Sequence, residues 1–291
     1  MDHDLWSKID SLPFEFNIKF SLTIKRNIKN IYNNILEIYS QNNIEVVYLP
    51  NIPSADEKLL YSVAKRQGIK VNFYEEGVNL YADLIKKNKF KNFIKSFLLG
   101  NKYRLYDKRE NFRADKVYCC FPEKYSFKNY SKINQIKLDF SLGELERKKL
   151  KNLDIETLIL SRPVSEDNLI SFEREKNFLK CFFENYNLDR KKTYIKFHPR
   201  ENEEKKCFIK SNFKLKELPI ELSGLPAEKI VLSSDIKRLI GYSSGTLAYA
   251  SELRNIEAYS FLEELPKESF ELKQVYDLFK KEFKKINFIK L

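Results

Sequence analysis

Polar and apolar positions change period several times along the chain, and the changes mark its elements. NNIEVVYLP (42–50) is a short β-branched run. SADEKLLYSVAKRQ (54–67) has helical apolar spacing behind a Ser cap, and GIKVNFYEEG (68–77) is a second β-branched run opened by Gly68. Strand, helix and strand in that order predict a βαβ unit and therefore a parallel sheet. The grammar returns later: IETLILSRP (155–163) predicts a strand, SFEREKNFLKCFFENYN (171–187) a helix and KTYIKF (192–197) a strand. A charged helix follows, then strands at EKIVLS (228–233) and KRLIGYS (237–243), and a helix at GTLAYASELRN (245–255). Residues 24–41 read as a helix with no strong strand before them. Residues 84–154 are less regular, with one strand at KVYCCF (116–121).

The fold class is therefore α/β, and 291 residues are enough for two domains. The polar text SLGELERKKLKNLD (141–154) separates them. The expected division is a Rossmann-like N-terminal domain over 1–150, a second over 151–270, and a basic amphipathic helix over 271–291. In that last segment Leu272, Val275, Phe279, Phe283 and Ile286 share one helical face, with lysines on the other.

Composition narrows the function classes. An apolar fraction of 43% with 14% aromatic residues supports real cores, and a disordered chain would have less of both. A formal charge of +12 admits phosphate-bearing partners or an anionic membrane surface, although the chain is also generally rich in Lys and Asn. Cys119, Cys120, Cys181 and Cys207 show neither CxxC spacing nor a nearby His, so neither a zinc site nor a disulfide framework is expected. No run approaches the roughly 18 to 20 apolar residues that span a bilayer. The opening MDHDLWSKIDSLPFEF is acidic where a signal peptide is basic. The expectation is a cytoplasmic protein with peripheral contact to a membrane, through the terminal helix and the basic-aromatic stretch KKNKFKNFIKSFLL (86–99).

Three motifs fall at predicted strand ends, where open α/β sheets place their ligands. In YEEG, Glu75 and Glu76 offer carboxylates for base catalysis or for a sugar hydroxyl, and Gly77 permits a sharp turn. In KFHPRE, Lys196 and Arg200 set fixed cations around His198, and Pro199 forces the chain out of the sheet. That combination suits a phosphate leaving group, with negative charge met where it develops. In GYSSGTL, Ser243 and Ser244 end a strand and cap the next helix, and Gly245 leaves room for a close approach, which makes an anion site.

The ordered set of acidic-acidic-Gly, HP and paired Ser resembles the bacterial sialyltransferases, both the polysialyltransferases and the lipooligosaccharide enzymes of glycosyltransferase family 52. LILSRPVSED (158–167) is similar to a family 52 strand ending in Pro and an acidic pair. The resemblance covers about residues 45–255 and implies a metal-independent GT-B fold, two Rossmann-like domains facing a cleft. It implies CMP-sialic acid as donor, no further cofactor, and inverting transfer to a galactose-type sugar of a surface glycan at the inner face of the bacterial cytoplasmic membrane. Lys196, His198 and Pro199 would line the CMP phosphate together with Ser243 and Ser244, and His198 would assist departure of CMP. Glu221, in LPIEL, would bond the ribose. The general base would be Asp167 or, second, Glu76. The family's opening apolar strand has no counterpart here, so the first strand of the N-terminal lobe is either missing or diverged, which bears on the acceptor side. A homodimer is an open possibility, and no nucleic-acid partner is expected. Two other readings compete: a GT-B enzyme with another nucleotide donor, and a basic nucleic-acid-binding module, which leaves YEEG unexplained.

Overall fold

Short β-branched runs that alternate with amphipathic helices have one low-cost arrangement, strands side by side in parallel with helices as the crossovers. The computed structural model of the protein has this arrangement twice. It describes residues 18–50, 55–81, 103, 111–254, 256–263, 265 and 269–290. The chain divides into two compact units, Met1–Lys137 and Leu138–Leu291. The break lies just before the polar stretch 141–154, which begins the second unit.

In the first unit, helix α1 (Ile18–Gln41) precedes strand β1 (Val46–Leu49), helix α2 (Ala55–Arg66) and strand β2 (Lys70–Tyr74). β1 and β2 are parallel, as the βαβ pattern predicts. Strands β3 (Ala114–Cys119) and β4 (Tyr130–Gln135) extend the sheet in the order β1-β2-β3-β4, all parallel. Sequence reading anticipates β3 but not β4, whose polar text YSKINQ is only partly buried. On α1, Ile28, Tyr32, Ile35 and Tyr39 are buried at helical spacing. Asp115 ties helix to sheet: it pairs with Lys65 of α2 at 2.7 Å and accepts the Val71 amide at 2.8 Å. The KKNKFKNFIKSFLL stretch and the first 17 residues, where an opening strand would fall, lie outside the described residues.

The second unit begins with helix α3 (Glu144–Lys151) and then strand β5 (Thr157–Leu160), fully buried as its continuous apolar text requires. Helix α4 (Phe172–Asn185) follows, capped by the Ser171 side chain, which accepts from the Arg174 amide. Then come strand β6 (Thr193–Lys196), helix α5 (Glu203–Phe213), strand β7 (Lys216–Glu217), and short helices α6 (Ile220–Ser223) and α7 (Ala227–Leu232). Strand β8 (Arg238–Gly241), helix α8 (Gly245–Leu253), strand β9 (Glu257–Ser260), helix α9 (Phe270–Glu282) and strand β10 (Asn287–Phe288) complete it. The sheet order is β10-β9-β8-β5-β6-β7, all parallel. The winding starts at β5, runs outward through β6 and β7, then returns to the other side of β5 as β8, β9 and β10. This is the doubly wound Rossmann order, and its switch point lies between β5 and β8.

Two expectations are corrected. EKIVLS is not a strand: residues 227–232 form α7, with Pro226 as its N-cap and Ile230 and Val231 buried. So short an apolar run does not separate strand from helix, and Pro at a helix start favours the helix. The terminal segment is not a free amphipathic helix. Leu272, Val275, Phe279, Phe283 and Ile286 are all buried within the second unit, and β10 pairs with β9 at the sheet edge. That apolar face is filled by protein and is not open to a membrane. Among the described residues no helix is long and apolar enough to cross one.

Candidate functional site at the sheet switch point

Carboxyl ends of parallel strands around a switch point leave a crevice, because the crossovers there depart in opposite directions. β5, β6 and β8 end at this place, so Ser161–Asp167, Phe197–Glu201 and Tyr242–Ser244 are its loops. β5 lies between the other two, which sets β6 and β8 two strand spacings apart, about 10 Å. Gly241 closes β8 against β5: a Cβ there would meet the Leu160 carbonyl oxygen at 3.0 Å and the Leu160 Cβ at 3.2 Å. Only glycine allows the two strand ends to sit this close.

On β8's loop the two serines behave differently. Ser244 is the N-cap of α8, its Oγ accepting the Thr246 amide at 3.2 Å and donating to Thr246 Oγ1 at 2.9 Å. Ser243 Oγ is buried with no hydrogen-bond partner among the described residues. A hydroxyl cut off from water without a partner costs about 1–3 kcal/mol, so an acceptor bound at this helix end would repay it. Gly245 opens α8 immediately after. Thr246 in turn donates to Glu228 of α7 at 2.7 Å.

On β6's loop, Lys196 is the last strand residue, and its Nζ donates to the Ser223 carbonyl at the end of α6. Burial pushes its pKa below the ordinary value, and the nearby Glu228 carboxylate partly opposes this. Among the described residues no carboxylate lies within ion-pair distance of Lys196, so this half-buried cation has no direct ion pair. His198 is partly buried. Its Nδ1 accepts the Arg200 amide at 3.2 Å, so the neutral ring carries its proton on Nε2. Burial first, and Arg200 second, push the imidazole pKa below its ordinary value, while Glu201 and Asp167 pull it back up. A neutral Nε2–H donor, rather than a standing imidazolium, is the resting form at neutral pH. Pro199 is exposed in the turn.

Asp167 is held by Arg200 through both oxygens, at 2.5 and 3.0 Å. It does not cap a helix, since Ser171 caps α4. A carboxylate engaged bidentately by guanidinium has little room for an incoming hydroxyl. Glu221, on α6, is exposed and pairs with Lys149 at 3.1 Å. It stands two residues from Ser223, which places α6 beside Lys196. Lys196, His198, Arg200 and Asp167 thus cluster, with Ser243 and Ser244 on the facing side of β5.

In the first unit the two acidic residues of YEEG also differ. Glu75 is buried and accepts Tyr81 OH at 2.6 Å and the Cys120 amide at 2.5 Å, so it braces the turn after β2. Glu76 is exposed, with no hydrogen bond or ion pair among the described residues. Gly77 has φ of +117°, a conformation that L side chains rarely adopt.

Sequence reading missed a buried charge cluster beneath these loops. Lys205 of α5 is fully buried and lies 2.6 Å from Glu175, 2.9 Å from Glu201 and 3.6 Å from Glu166. Its Nζ also donates to the Arg162 carbonyl at 2.6 Å. Tyr242 OH donates to Glu175 at 2.8 Å. The one available signal was the i, i+4 spacing of Glu201 and Lys205 within HPRENEEK, which reads equally well as a solvated helix pair. Among the described residues no group of His, Cys, Asp or Glu is placed to hold a metal ion.

Comparison with known proteins adds the following. No curated protein matches the chain. A candidate UDP-N-acetylglucosamine 2-epimerase from Listeria monocytogenes is similar at 13% identity over 89% of this chain and 71% of its own, with a TM-score of 0.49. The MnaA–UDP co-structure from S. aureus is similar at 12% identity over 88% of this chain and 72% of its own, with a TM-score of 0.47. MurG from Acinetobacter baumannii is similar at 12% identity over 91% of this chain and 65% of its own, with a TM-score of 0.45. The sequence model of the alpha-2,8-polysialyltransferases matches residues 2–263, a span that takes in the YEEG turn and all three strand-end loops, and the chain belongs to that family.

Proposed function

We propose that this protein is an inverting sialyltransferase of GT-B type that takes CMP-sialic acid as donor and binds its phosphate at the switch point of the second unit. The observation that carries the reading is the pairing of an orphaned Ser243 hydroxyl at a helix N-terminus with a half-buried Lys196 that lacks a direct ion pair. Ser243 has no hydrogen-bond partner and Lys196 has no ion pair among the described residues, and one phosphate would supply both. In this reading Ser243 Oγ–H and the first amides of α8 bond the phosphate oxygens, and Lys196 offsets their charge. His198 Nε2–H donates to the oxygen that leaves sialic acid, so negative charge is met as the C–O bond breaks. Glu221 is assigned to the CMP ribose.

For the acceptor, the family's description favours a glycan that already ends in sialic acid over the galactose-type sugar expected from the motifs. The family 52 likeness of LILSRPVSED stays a resemblance. The acceptor's proton goes to Glu76, which has no hydrogen bond or ion pair among the described residues, in preference to Asp167, whose oxygens are held by Arg200. Incubation with CMP-sialic acid and two acceptors, one ending in galactose and one in sialic acid, tests this by release of CMP and mass of product. Release of CMP with extension of the sialylated acceptor is expected. No transfer to either acceptor, with transfer from a UDP- or CDP-linked sugar, would overturn the donor assignment.

A further inference from the structure

The HP turn is gripped from below by one carboxylate. Glu201 is 4% exposed. Its Oε2 accepts the His198 amide at 2.6 Å, and its Oε1 accepts Ser161 Oγ at 2.5 Å. The same Oε1 lies 2.9 Å from the fully buried Lys205 ammonium. Ser161 leaves β5, His198 leaves β6, and the Lys205 ammonium reaches Glu175, to which Tyr242 at the end of β8 is bonded. One buried cluster therefore joins all three loops of the crevice. A second carboxylate, Glu166, accepts the Asn202 amide at 3.1 Å and closes the far side of the same turn.

A cluster this deep is a poor stabiliser by itself, because desolvation of the charges offsets most of their attraction. Burial pushes Glu175 above its ordinary value even with Lys205 beside it, and one of its oxygens has no hydrogen-bond partner. An apolar filling would hold three loops together at lower cost. What an apolar filling could not do is accept the His198 amide at a fixed point and set a negative charge near the imidazole.

We infer that Glu201, anchored by Lys205 and Ser161, is a positioning residue for His198, fixing the backbone of the HP turn so that the ring is held with Nδ1 turned to the Arg200 amide and Nε2–H presented as the donor. The inference rests on the proposed role of His198 in CMP departure. Four charged groups act on the ring: Arg200 and Arg162 disfavour its protonation, and Glu201 and Asp167 favour it. Removing the Glu201 charge while leaving the other three in place lowers the ring's midpoint. Loss of that charge moves the midpoint by itself, so the positioning is read from the Nδ1 bond to the Arg200 amide and the Nε2–H tautomer, which a role limited to holding the fold would leave unchanged.

The test uses the full chain with Glu201→Gln, which keeps shape and leaves Lys205 paired with Glu175, and with His198→Ala. The chain has two histidines, so His198→Ala assigns the His198 ring signals in 15N NMR. In Glu201→Gln, kcat is expected to fall about 10- to 100-fold, as when partners that orient a functional histidine are removed. KM for CMP-sialic acid should change little, the His198 midpoint and the acid limb of the kcat profile should both move to lower pH, and the ring should no longer be held as the Nε2–H tautomer. An unchanged Nδ1 bond and Nε2–H tautomer would overturn the inference, whatever His198→Ala does. Wild-type turnover in His198→Ala would instead remove the catalytic role, while a changed tautomer in Glu201→Gln would still show that Glu201 positions the ring. Should Glu201→Gln not fold, Ser161→Ala, which loosens the same carboxylate from the other side, carries the same NMR reading.

Discussion

His198 illustrates how one residue's environment limits its chemistry. An imidazole kept neutral by burial and by Arg200 destabilises the folded state as acid is added. Below its ordinary value of 6.5 the unfolded chain binds the proton more readily, so stability falls from there down through the folded midpoint. Denaturant melts between pH 7 and 5 should show this slope, and His198→Asn should flatten it. The same melts with CMP should show a shallower slope, because a bound phosphate favours the imidazolium. The two carboxylates make a second residue-scale prediction. Glu76→Gln should cut turnover by roughly 100- to 10,000-fold, the range for loss of a general base. Asp167→Asn should have a smaller effect, expressed through its pairing with Arg200. The reverse ranking would return the base to Asp167.

Among the elements, helix α8 sets a capping serine beside one whose hydroxyl has no partner among the described residues. Ser244→Ala removes the N-cap bond to the Thr246 amide and should cost about 0.5–2 kcal/mol in a thermal melt. Ser243→Ala removes a hydroxyl that bonds nothing in the free protein. It should stabilise the free protein by up to about 1–3 kcal/mol, the cost of the unpartnered hydroxyl, yet weaken CMP binding. The strand ends were legible in the sequence because β-branched runs stop at Pro163, Pro199 and the Ser243-Ser244 pair, and such stops leave chain beyond a sheet edge. The two serines could not be told apart, since capping and ligand contact select the same hydroxyl. Glu201, Glu175 and Lys205 were hidden for a related reason. Charges in Lys- and Glu-rich text read as a solvated face, and only the fold shows that α4, α5 and the turn before α5 direct these particular ones inward. EKIVLS failed because three consecutive apolar residues carry no period that separates strand from helix.

At the scale of the whole molecule, the order of strands mattered more than their number. Repeated strand-helix text predicts parallel sheets, but the reversal at β5 that creates the crevice is a tertiary fact. The terminal helix shows the converse. Its stripe holds for Leu272, Val275 and Phe279, while the helix ends at Glu282, short of Phe283 and Ile286; what covers the stripe, the second unit or a membrane, is not encoded in it. Burial of Leu272, Val275 and Phe279 stabilises the unit by about 1.5–3 kcal/mol for each fully buried side chain. Phe279→Ala should therefore destabilise the protein by about 3–5 kcal/mol. Loss of vesicle binding without loss of stability would contradict the packing. The central claim is that a CMP phosphate sits between Lys196, which has no ion pair, and Ser243, whose hydroxyl has no partner among the described residues, and calorimetric titration of CMP into the parent and Lys196→Met tests it most directly. CMP should bind the parent and lose about tenfold or more in affinity on loss of the cation, since a charged hydrogen bond contributes roughly 1.5–3 kcal/mol. Equal affinity for the two proteins, or no binding of CMP to the parent, would contradict it.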